Sequence, residues 1–432
     1  MGFNNLLDVD FMWTDFLKVQ DNTIIIPFAS LFNIEICRVN KNNSMNQVSK
    51  FGIFALLLSS SLTIMVGTVI APSLKEISVH LGFEENPGLL ITLPSLGVVI
   101  FAPFVGKLID RKGPYLMIRW GLIPYALLGL LGGLLTNPYL VVIDRILLGV
   151  ATASIQAAGT GLIALLFIGD DRLKMIAWQG MSIELGGVVF LSFGGLLGAF
   201  CWKYPFLIYL MGLVCALLIS ISVKRNADTL RKKVVAVEST ERTKISRHLL
   251  IIILSAAFAM MLFFVAFVCL PLFLPSSFHY SEAETGYFMA FISIVAVIAA
   301  SQMPRVTRYL SKDFTLSMGF FAFAIGLTIL FLTTSNITLF IGAVAMGTGF
   351  GFTVPLLNHM TVEESSSSNL GRYLSYYSMA IFGGQFLSSF ITELNYEMRT
   401  TFLIAAVLAC AISVALYIIA SINRIHVFNN NL

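Results

Sequence analysis

Charged residues are scarce in this sequence. They make up 12% of its 432 residues, about half the share that soluble domains carry. The five cysteines include no Cys-x-x-Cys pair and most lie in apolar segments, which argues against disulfides and zinc sites. The sequence also lacks a Walker phosphate loop, a metal-binding cluster and a nucleophile elbow. We therefore expect neither an enzyme nor a bound metal or cofactor.

Hydrophobic residues, by contrast, make up 57% of the chain and gather into runs of about 20 residues, the length that an α-helix needs to cross a bilayer. The pattern predicts an all-α polytopic membrane protein with twelve transmembrane helices. The predicted spans are 51–72, 88–108, 115–136, 139–167, 175–199, 204–223, 248–273, 285–303, 314–334, 337–357, 372–393 and 400–421.

The predicted spans fall into two equal sets. Residues 224–247 form the one long charged segment between spans, with six spans before it and six after it. We therefore predict one six-helix bundle at 48–223, a linker at 224–247 and a second six-helix bundle at 248–423, a common plan for transporters. The N-terminal extension, residues 1–47, is assigned no function.

The basic residues of the loops indicate the orientation of the chain. Nearly all of them lie in loops on the side of the linker, whereas the loops on the other side contain only Lys75, Lys203 and Arg399. Because basic loops stay in the cytoplasm, we predict that both termini and the linker are cytoplasmic. We expect the protein to lie in a bacterial inner (plasma) membrane.

The segment GKLIDRKGP between the second and third spans has more than a topological role. Its cations satisfy the orientation rule, but that rule does not explain Asp110, nor the glycines Gly106 and Gly113 at its ends. Gly106 permits close approach of a neighbouring helix, and Asp110 can accept hydrogen bonds at a helix N-terminus. We interpret Gly106, Asp110, Arg111 and Gly113 as a gating motif that holds the two bundles together in one state.

Three stretches resemble the major facilitator superfamily. GKLIDRKG is similar to its Gly-x-Leu-x-Asp-Arg-x-Gly signature, and RILLGVATA is similar to an Arg-x-x-x-Gly pattern through Arg145 and Gly149. GGLLGAFCWKYPFLIY resembles the glycine-rich motif and Trp-x-x-Pro-Phe of the drug/metabolite:proton antiporter branch. The resemblance covers about residues 50–421 and implies two bundles that rock about a central substrate site.

The fifth span departs from that branch at one point, since Gly194-Gly195 stands where the antiporter motif usually has Gly-Pro. The kink-making proline is therefore missing. The remaining glycines still predict a smooth face on the fifth helix, formed by Gly187, Gly194, Gly195 and Gly198.

Ionisable residues deep in a span cost about 2.5–3.5 kcal/mol to insert and are functional candidates for that reason. Glu184 lies about nine residues into the fifth span, or roughly 14 Å deep, and we interpret it as a proton-binding carboxylate. The alternative is a permanent salt bridge to Arg145 that staples two helices, although the resemblance implicates Arg145 itself in proton transfer. We expect Asp144 to be a solvent-near acid at the headgroup level.

Three polar residues are candidates for the wall of a substrate cavity, namely Gln156, Asn358 and Gln385. For Gln156 and Gln385, a hydrogen bond between helices is an equally good interpretation. The neighbouring His359 is expected to be a loop residue at the membrane interface.

The leading hypothesis is a secondary transporter that exports a small organic molecule, drug-like or a metallophore, coupled to proton entry by alternating access. A second hypothesis is proton-coupled uptake of a metabolite, and a third is a non-transporting receptor or scaffold. The expected partners are a small-molecule substrate, protons and the lipid bilayer. No nucleic-acid partner is expected, and the chain is expected to be a monomer.

Overall fold

The structure is a computed structural model that describes residues 50–167, 170–222, 246–365, 370–393 and 397–429. Within these ranges the chain is helical and contains no strand. We label the helices that correspond to the predicted spans α1 to α12. They are α1 (Lys50–Thr68), α2 (Leu89–Lys112), α3 (Pro114–Leu131), α4 (Pro138–Leu166), α5 (Asp170–Phe200), α6 (Met211–Ser222), α7 (Arg247–Phe278), α8 (Glu282–Tyr309), α9 (Lys312–Leu332), α10 (Asn336–Glu363), α11 (Leu370–Glu393) and α12 (Met398–Asn429).

Short elements extend two of these helices. A 3-10 turn, Ala71–Ser73, and a short helix, Leu74–Leu81, continue α1, and a 3-10 segment, Tyr204–Leu210, leads into α6. With these extensions, eleven helices of the described part are long and apolar enough to cross a membrane. The helix α11 occupies the remaining predicted span. The predicted all-α membrane fold is confirmed.

Serine side chains begin four helices of the second half. The hydroxyl of Ser246 accepts a hydrogen bond from the Leu249 backbone N–H at 3.0 Å and so caps α7. The helices α8, α9 and α10 begin in the same way at Ser281, Ser311 and Ser335. Each hydroxyl satisfies a backbone donor that the first helical turn leaves free. The polar segments between the apolar runs therefore set where these helices begin.

The α2–α3 turn consists of the single residue Gly113. Its φ of +88° lies in a region that side-chain-bearing residues rarely adopt, and its N–H donates to the Ile109 carbonyl at 2.9 Å. Pro114 then opens α3. Of the predicted gating motif, Gly113 therefore has a clear conformational requirement. We call the side of this turn the basic side and the other side the opposite side.

The helices pack in two groups, α1–α6 and α7–α12, which meet through α5 against α8 and α2 against α11. The predicted linker at 224–247 lies outside the described residues except for its last two, and the predicted extension at 1–47 lies outside them entirely. The domain boundaries therefore stay predictions.

An ion-paired cluster links α7 to α10 on the basic side. The Ser246 hydroxyl donates to one oxygen of Glu364 at 2.7 Å, and the His248 ring lies 3.1 Å from the other oxygen. The Ser246 hydrogen bond is the main cause that holds the pKa of the Glu364 carboxyl below its ordinary value, and His248 adds to it. This carboxylate joins the start of the second helix group to the end of α10.

Replacing Glu364 by glutamine tests this link. Because the pKa is lowered in the folded state, the stabilisation is present above the ordinary carboxyl range and is lost as the pH falls through the lowered value. We expect E364Q to unfold about 1–3 °C below the wild type at pH 7, and the two melting curves to converge in acid. Thermal melts in detergent from pH 7 to pH 3.5 measure this, with the exposed Glu84→Gln as control. A constant difference across this range would contradict the assignment.

Candidate functional site

One stripe of α2 faces α11. Gly88 lies against Thr392, and Val99 lies against Gly383. Between these two points the hydroxyls of Thr92 and Ser389 are hydrogen-bonded, and the Ser95 hydroxyl donates to the Gln385 side-chain oxygen at 2.6 Å. The contacts on α2 recur every three or four residues, which is one face of a helix.

The same stripe continues toward the basic side through Gly106 to position 110, but there α11 has moved away. A Cβ atom added at Gly106 would meet nothing within 4 Å. The expected close approach of a helix at Gly106 is therefore absent in this conformation. The side chain of Asp110 lies outside the described part of the structure, and Arg111 is exposed. Their gating role stays a prediction.

A second contact between the helix groups joins α5 to α8 on the opposite side. A Cβ atom at Gly195 would lie 2.5 Å from the Glu282 carbonyl oxygen and 3.0 Å from the Cα of Gly286. Further toward the middle, a Cβ atom added at Gly187 would lie 3.9 Å from the Ser293 hydroxyl oxygen, whereas one added at Gly180 would meet nothing within 4 Å. The two groups thus close on the opposite side and separate toward the basic side, which leaves a cleft between them.

The predicted glycine face of α5 serves two packing surfaces. Gly195 and Gly187 approach α8 across the cleft, whereas Gly194 and Gly198 lie against Val69 and Ser73, which follow α1. At Gly194 and Gly195 a Cβ atom would meet a neighbouring backbone carbonyl. Glycine is therefore required by close backbone approach, and proline is not needed for it.

Glu184 lies in α5 between the closed and open parts of the cleft. It is half-buried, nine residues from Met175, where the apolar span of α5 begins. Its carboxylate has no hydrogen bond or ion pair with any described residue. Tyr377 of α11, in the other helix group, lies within electrostatic range of it. Glu184 is thus an unpaired acid at mid-membrane depth that faces the cleft.

Gln156 lies at the same level as Glu184. The Thr160 hydroxyl of α4 donates to the Gln179 side-chain oxygen of α5 at 3.1 Å, and the Gln179 amide donates to Ser60 of α1 at 3.0 Å. Since α4 and α5 are antiparallel, Gln156 is four residues from this bridge and Glu184 is five, so they differ in height by about 1.5 Å. The buried side-chain oxygen of Gln156 has no partner in the described part.

The other two predicted cavity residues lie elsewhere. Gln385 is buried in the α2–α11 contact, where it accepts from Ser95, so in this conformation it joins helices and lines no cavity. Asn358 is half-buried near the basic end of α10, and its side-chain oxygen is unpartnered among described residues. A ligand-binding role for Asn358 stays a prediction. His359 is exposed and belongs to α10, one turn before its end, where its ring lies 3.5 Å from Glu363.

Asp144 and Arg145 pair with each other. Arg145 Nη2 lies 2.9 Å from Asp144 Oδ2, and the two residues are 1% and 4% exposed. The expected solvent-near position of Asp144 is therefore wrong, because Asp144 is buried beside Gly132 at the end of α3. The alternative salt bridge from Arg145 to Glu184 is also absent. By the α4–α5 register, Arg145 lies about 15 Å further toward the opposite side than Glu184.

Replacing Gln385 by methionine tests the α2–α11 contact. Methionine fills the space but removes the hydrogen bond from Ser95, which is worth about 1 kcal/mol or a fivefold change in the ratio of closed to open states. With Thr92→Cys as a reporter, we expect a membrane-impermeant maleimide added on the opposite side to react about fivefold faster in Q385M. An unchanged rate would show that this hydrogen bond does not hold the side closed.

The membrane helices form two bundles that are closed at one end, over an unpaired acid, and open at the other end. This arrangement is that of a transporter that works between two accessible sides. The family model described as Major Facilitator Superfamily matches residues 56–389 and 252–427. The chain belongs to this superfamily, and it is an integral membrane transporter rather than an enzyme.

Relatives in this superfamily match part of the chain. It is 30% identical over 158 residues to Multidrug resistance protein 2 of Bacillus subtilis, which is 36% of this chain and 39% of the relative. It is 29% identical over 164 residues to the Tetracycline resistance protein, class B, of Escherichia coli, which is 38% and 41% of the two chains. Each match thus spans about two fifths of the relative's length.

Solved structures match over a larger part of the chain. A bacterial homolog of the human lysosomal transporter Spinster, in an inward-facing and occupied conformation, has a TM-score of 0.66 and 15% identity, covering 87% of this chain and 97% of that one. The inward open xylose transporter XylE from E. coli has a TM-score of 0.66 and 13% identity, covering 84% and 95%. At these identities the likeness establishes the fold.

Proposed function

We propose that this transporter exports a small, drug-like organic molecule in exchange for protons. The observation that carries the proposal is the unpaired Glu184 carboxylate in the cleft. A carboxyl group removed from water favours its neutral form, which suits a group that must bind and release protons. The multidrug and tetracycline resistance names of two relatives support export of drug-like cargo.

The basic side faces the cytoplasm in this proposal. Basic residues of the loops gather there, and such loops are retained inside. The structure then corresponds to an inward-facing state, with the α2–α11 and α5–α8 contacts closing the outer side. Substrate enters the cleft from the inner side, and the protein must open the outer contacts and close the inner ones to release it. The bacterial sources of the relatives support a position in a bacterial inner membrane.

Glu184 and Gln156 form the centre of the proposed site. Both belong to the first helix group and lie at one level, and neither the Glu184 carboxylate nor the Gln156 side-chain oxygen has a hydrogen-bond partner among the described residues. A substrate or a proton at Glu184 satisfies the same carboxylate, so occupancy by one opposes occupancy by the other. This competition is the physical basis of exchange, because proton binding from outside displaces the cargo and proton release inside readies the acid for the next molecule.

Everted membrane vesicles test the direction and the coupling. In such vesicles the cytoplasmic side faces outward, so an acid interior drives an exporter to accumulate its cargo. We expect uptake of the cationic dye ethidium to require the chain and an inward-acid gradient, and to stop when nigericin collapses the gradient. Vesicles without the chain are the control. Gradient-driven uptake by right-side-out vesicles alone would instead support the metabolite uptake hypothesis.

A further inference from the structure

The buried pair Asp144–Arg145 lies apart from the proposed proton site. The Arg145 guanidinium lies over the rings of Phe206 and Tyr209, with centroid distances of 5.6 Å and 5.9 Å. These rings belong to the 3-10 segment that leads into α6. Every described partner of Arg145 is in the first helix group, so the guanidinium sits in a cage within that group.

Three glycines at the end of α3 are shaped around this cage. A Cβ atom at Gly132 would collide with the Arg145 guanidinium, and one at Gly129 would collide with the Tyr209 ring. At Gly133 a Cβ atom would lie 2.8 Å from the Phe206 ring. The segment GLLGG and the segment YPFLIY are therefore complementary halves of one packing unit, and Arg145 fills the space between them.

The cage continues to the end of α1. The Tyr209 hydroxyl donates to the Val66 carbonyl oxygen at 2.8 Å, two residues before α1 ends at Thr68. The chain then forms the segment 69–81, whose turn and short helix pack against α7 and α8 of the other helix group. The position of Tyr209 thus fixes where the segment 69–81 leaves α1 and meets the second group.

A contribution to the stability of the fold does not explain the Asp144–Arg145 pair. Asp144 Oδ1 and Arg145 Nη1 are buried and have no hydrogen-bond partner in the described part. Replacing such a pair by apolar residues is often neutral or stabilising, because desolvation offsets the attraction. Its position needs another explanation, and the connection through Tyr209 to segment 69–81 supplies one.

We infer that Arg145 is a positioning residue for the outer closure, acting through Tyr209 and Val66 on segment 69–81. In this role its planar guanidinium group packs on the rings of Phe206 and Tyr209, a contact that a lysine ammonium group cannot reproduce. It transfers no proton. Loosening the cage releases segment 69–81 from its place and weakens its contact with α7 and α8.

The test reads the outer closure directly. Thr92→Cys, buried in the α2–α11 contact, reports opening when a membrane-impermeant maleimide is added to intact cells, with the partly exposed Cys201 replaced by serine. In this background we expect Arg145→Lys and Tyr209→Phe each to raise the labelling rate about threefold or more, as for loss of one hydrogen bond. Ser317→Ala is the control, since it removes a 2.8 Å hydroxyl–carbonyl bond between α9 and α12 in the other group.

The pH profile of transport separates positioning from proton transfer. We expect both variants to keep the wild-type midpoint of the profile while their labelling rates rise. Unchanged labelling in Tyr209→Phe overturns the inference, as does a shifted pH midpoint in Arg145→Lys with normal labelling. Tyr209→Phe retains the ring and the ion pair, so it folds even if Arg145→Lys does not. Labelling needs no transport, so the result stands whether or not the proposed export is correct.

Discussion

Gradient-driven accumulation is lost when Glu184 is replaced by glutamine, the result we expect from everted vesicles. Glutamine keeps the size and hydrogen-bonding capacity of the side chain but cannot bind or release a proton. Removing a proton-transfer group lowers a rate about 10²–10⁴-fold, and we expect a loss of at least about 100-fold in gradient-driven uptake. Glu184 lies at mid-membrane depth and has no ion-pair partner among the described residues.

Exchange without a gradient gives the control. Substrate–substrate exchange needs the cleft to alternate but needs no proton, so E184Q is expected to retain it at a higher cargo concentration, because cargo loses its contact with the carboxylate. Glu363→Gln, an exposed acid at the basic end of α10, is the matched variant and should accumulate cargo normally. Wild-type accumulation by E184Q would move the coupling function to another residue.

Replacing Gly195 by valine is expected to be nearly as damaging, for a mechanical reason. The new side chain would meet the Glu282 carbonyl and Gly286 across the α5–α8 contact, and both are backbone atoms that cannot turn away. Overpacking of this kind costs about 1–3 kcal/mol, equivalent to about a 5- to 150-fold change in the ratio of states. We expect G195V to open the outer side, so that Thr92→Cys labels faster from outside while transport falls more than about tenfold.

Gly106→Val gives the opposite result on the same assay. Position 106 has open space around it in the present conformation, yet it lies on the stripe of α2 that faces α11. Valine therefore leaves the present conformation intact and hinders closure of the basic side. We expect G106V to lose transport while labelling at Thr92→Cys stays at or below the parent rate. Equal labelling in the two glycine variants would contradict the assignment of the two contacts to opposite states.

Much of the fold could be predicted because span length is a local property. Runs of about 20 apolar residues located each helix, although α8, α10 and α12 extend six to eight residues beyond their predicted ends, and a lone acid inside such a run singled out Glu184. The glycines of α5 were also visible as a pattern. These features depend on neighbours along the chain, which the sequence displays directly.

Partners across the cleft could not be predicted in the same way. Thr92 and Ser389 are 297 positions apart, and no local pattern links two hydroxyl residues at that separation. Gly286 is a single glycine in an apolar helix, and only the structure brings it to Gly195. The position expected for Asp144 was wrong because depth along a helix does not show which of its residues the neighbouring helices cover.

The helix α5 has a consequence for how such a protein can change its cargo. Glu184 and Gly195 lie on one helix, about 16 Å apart at 1.5 Å per residue, so the proposed proton-binding acid and the surface that packs against α8 are inherited together. Under the proposed function, residues on other helices, such as Gln156 of α4, can vary without changing α5. Small changes on those helices can then alter which cargo is bound, while Glu184 and the α5–α8 contact stay the same.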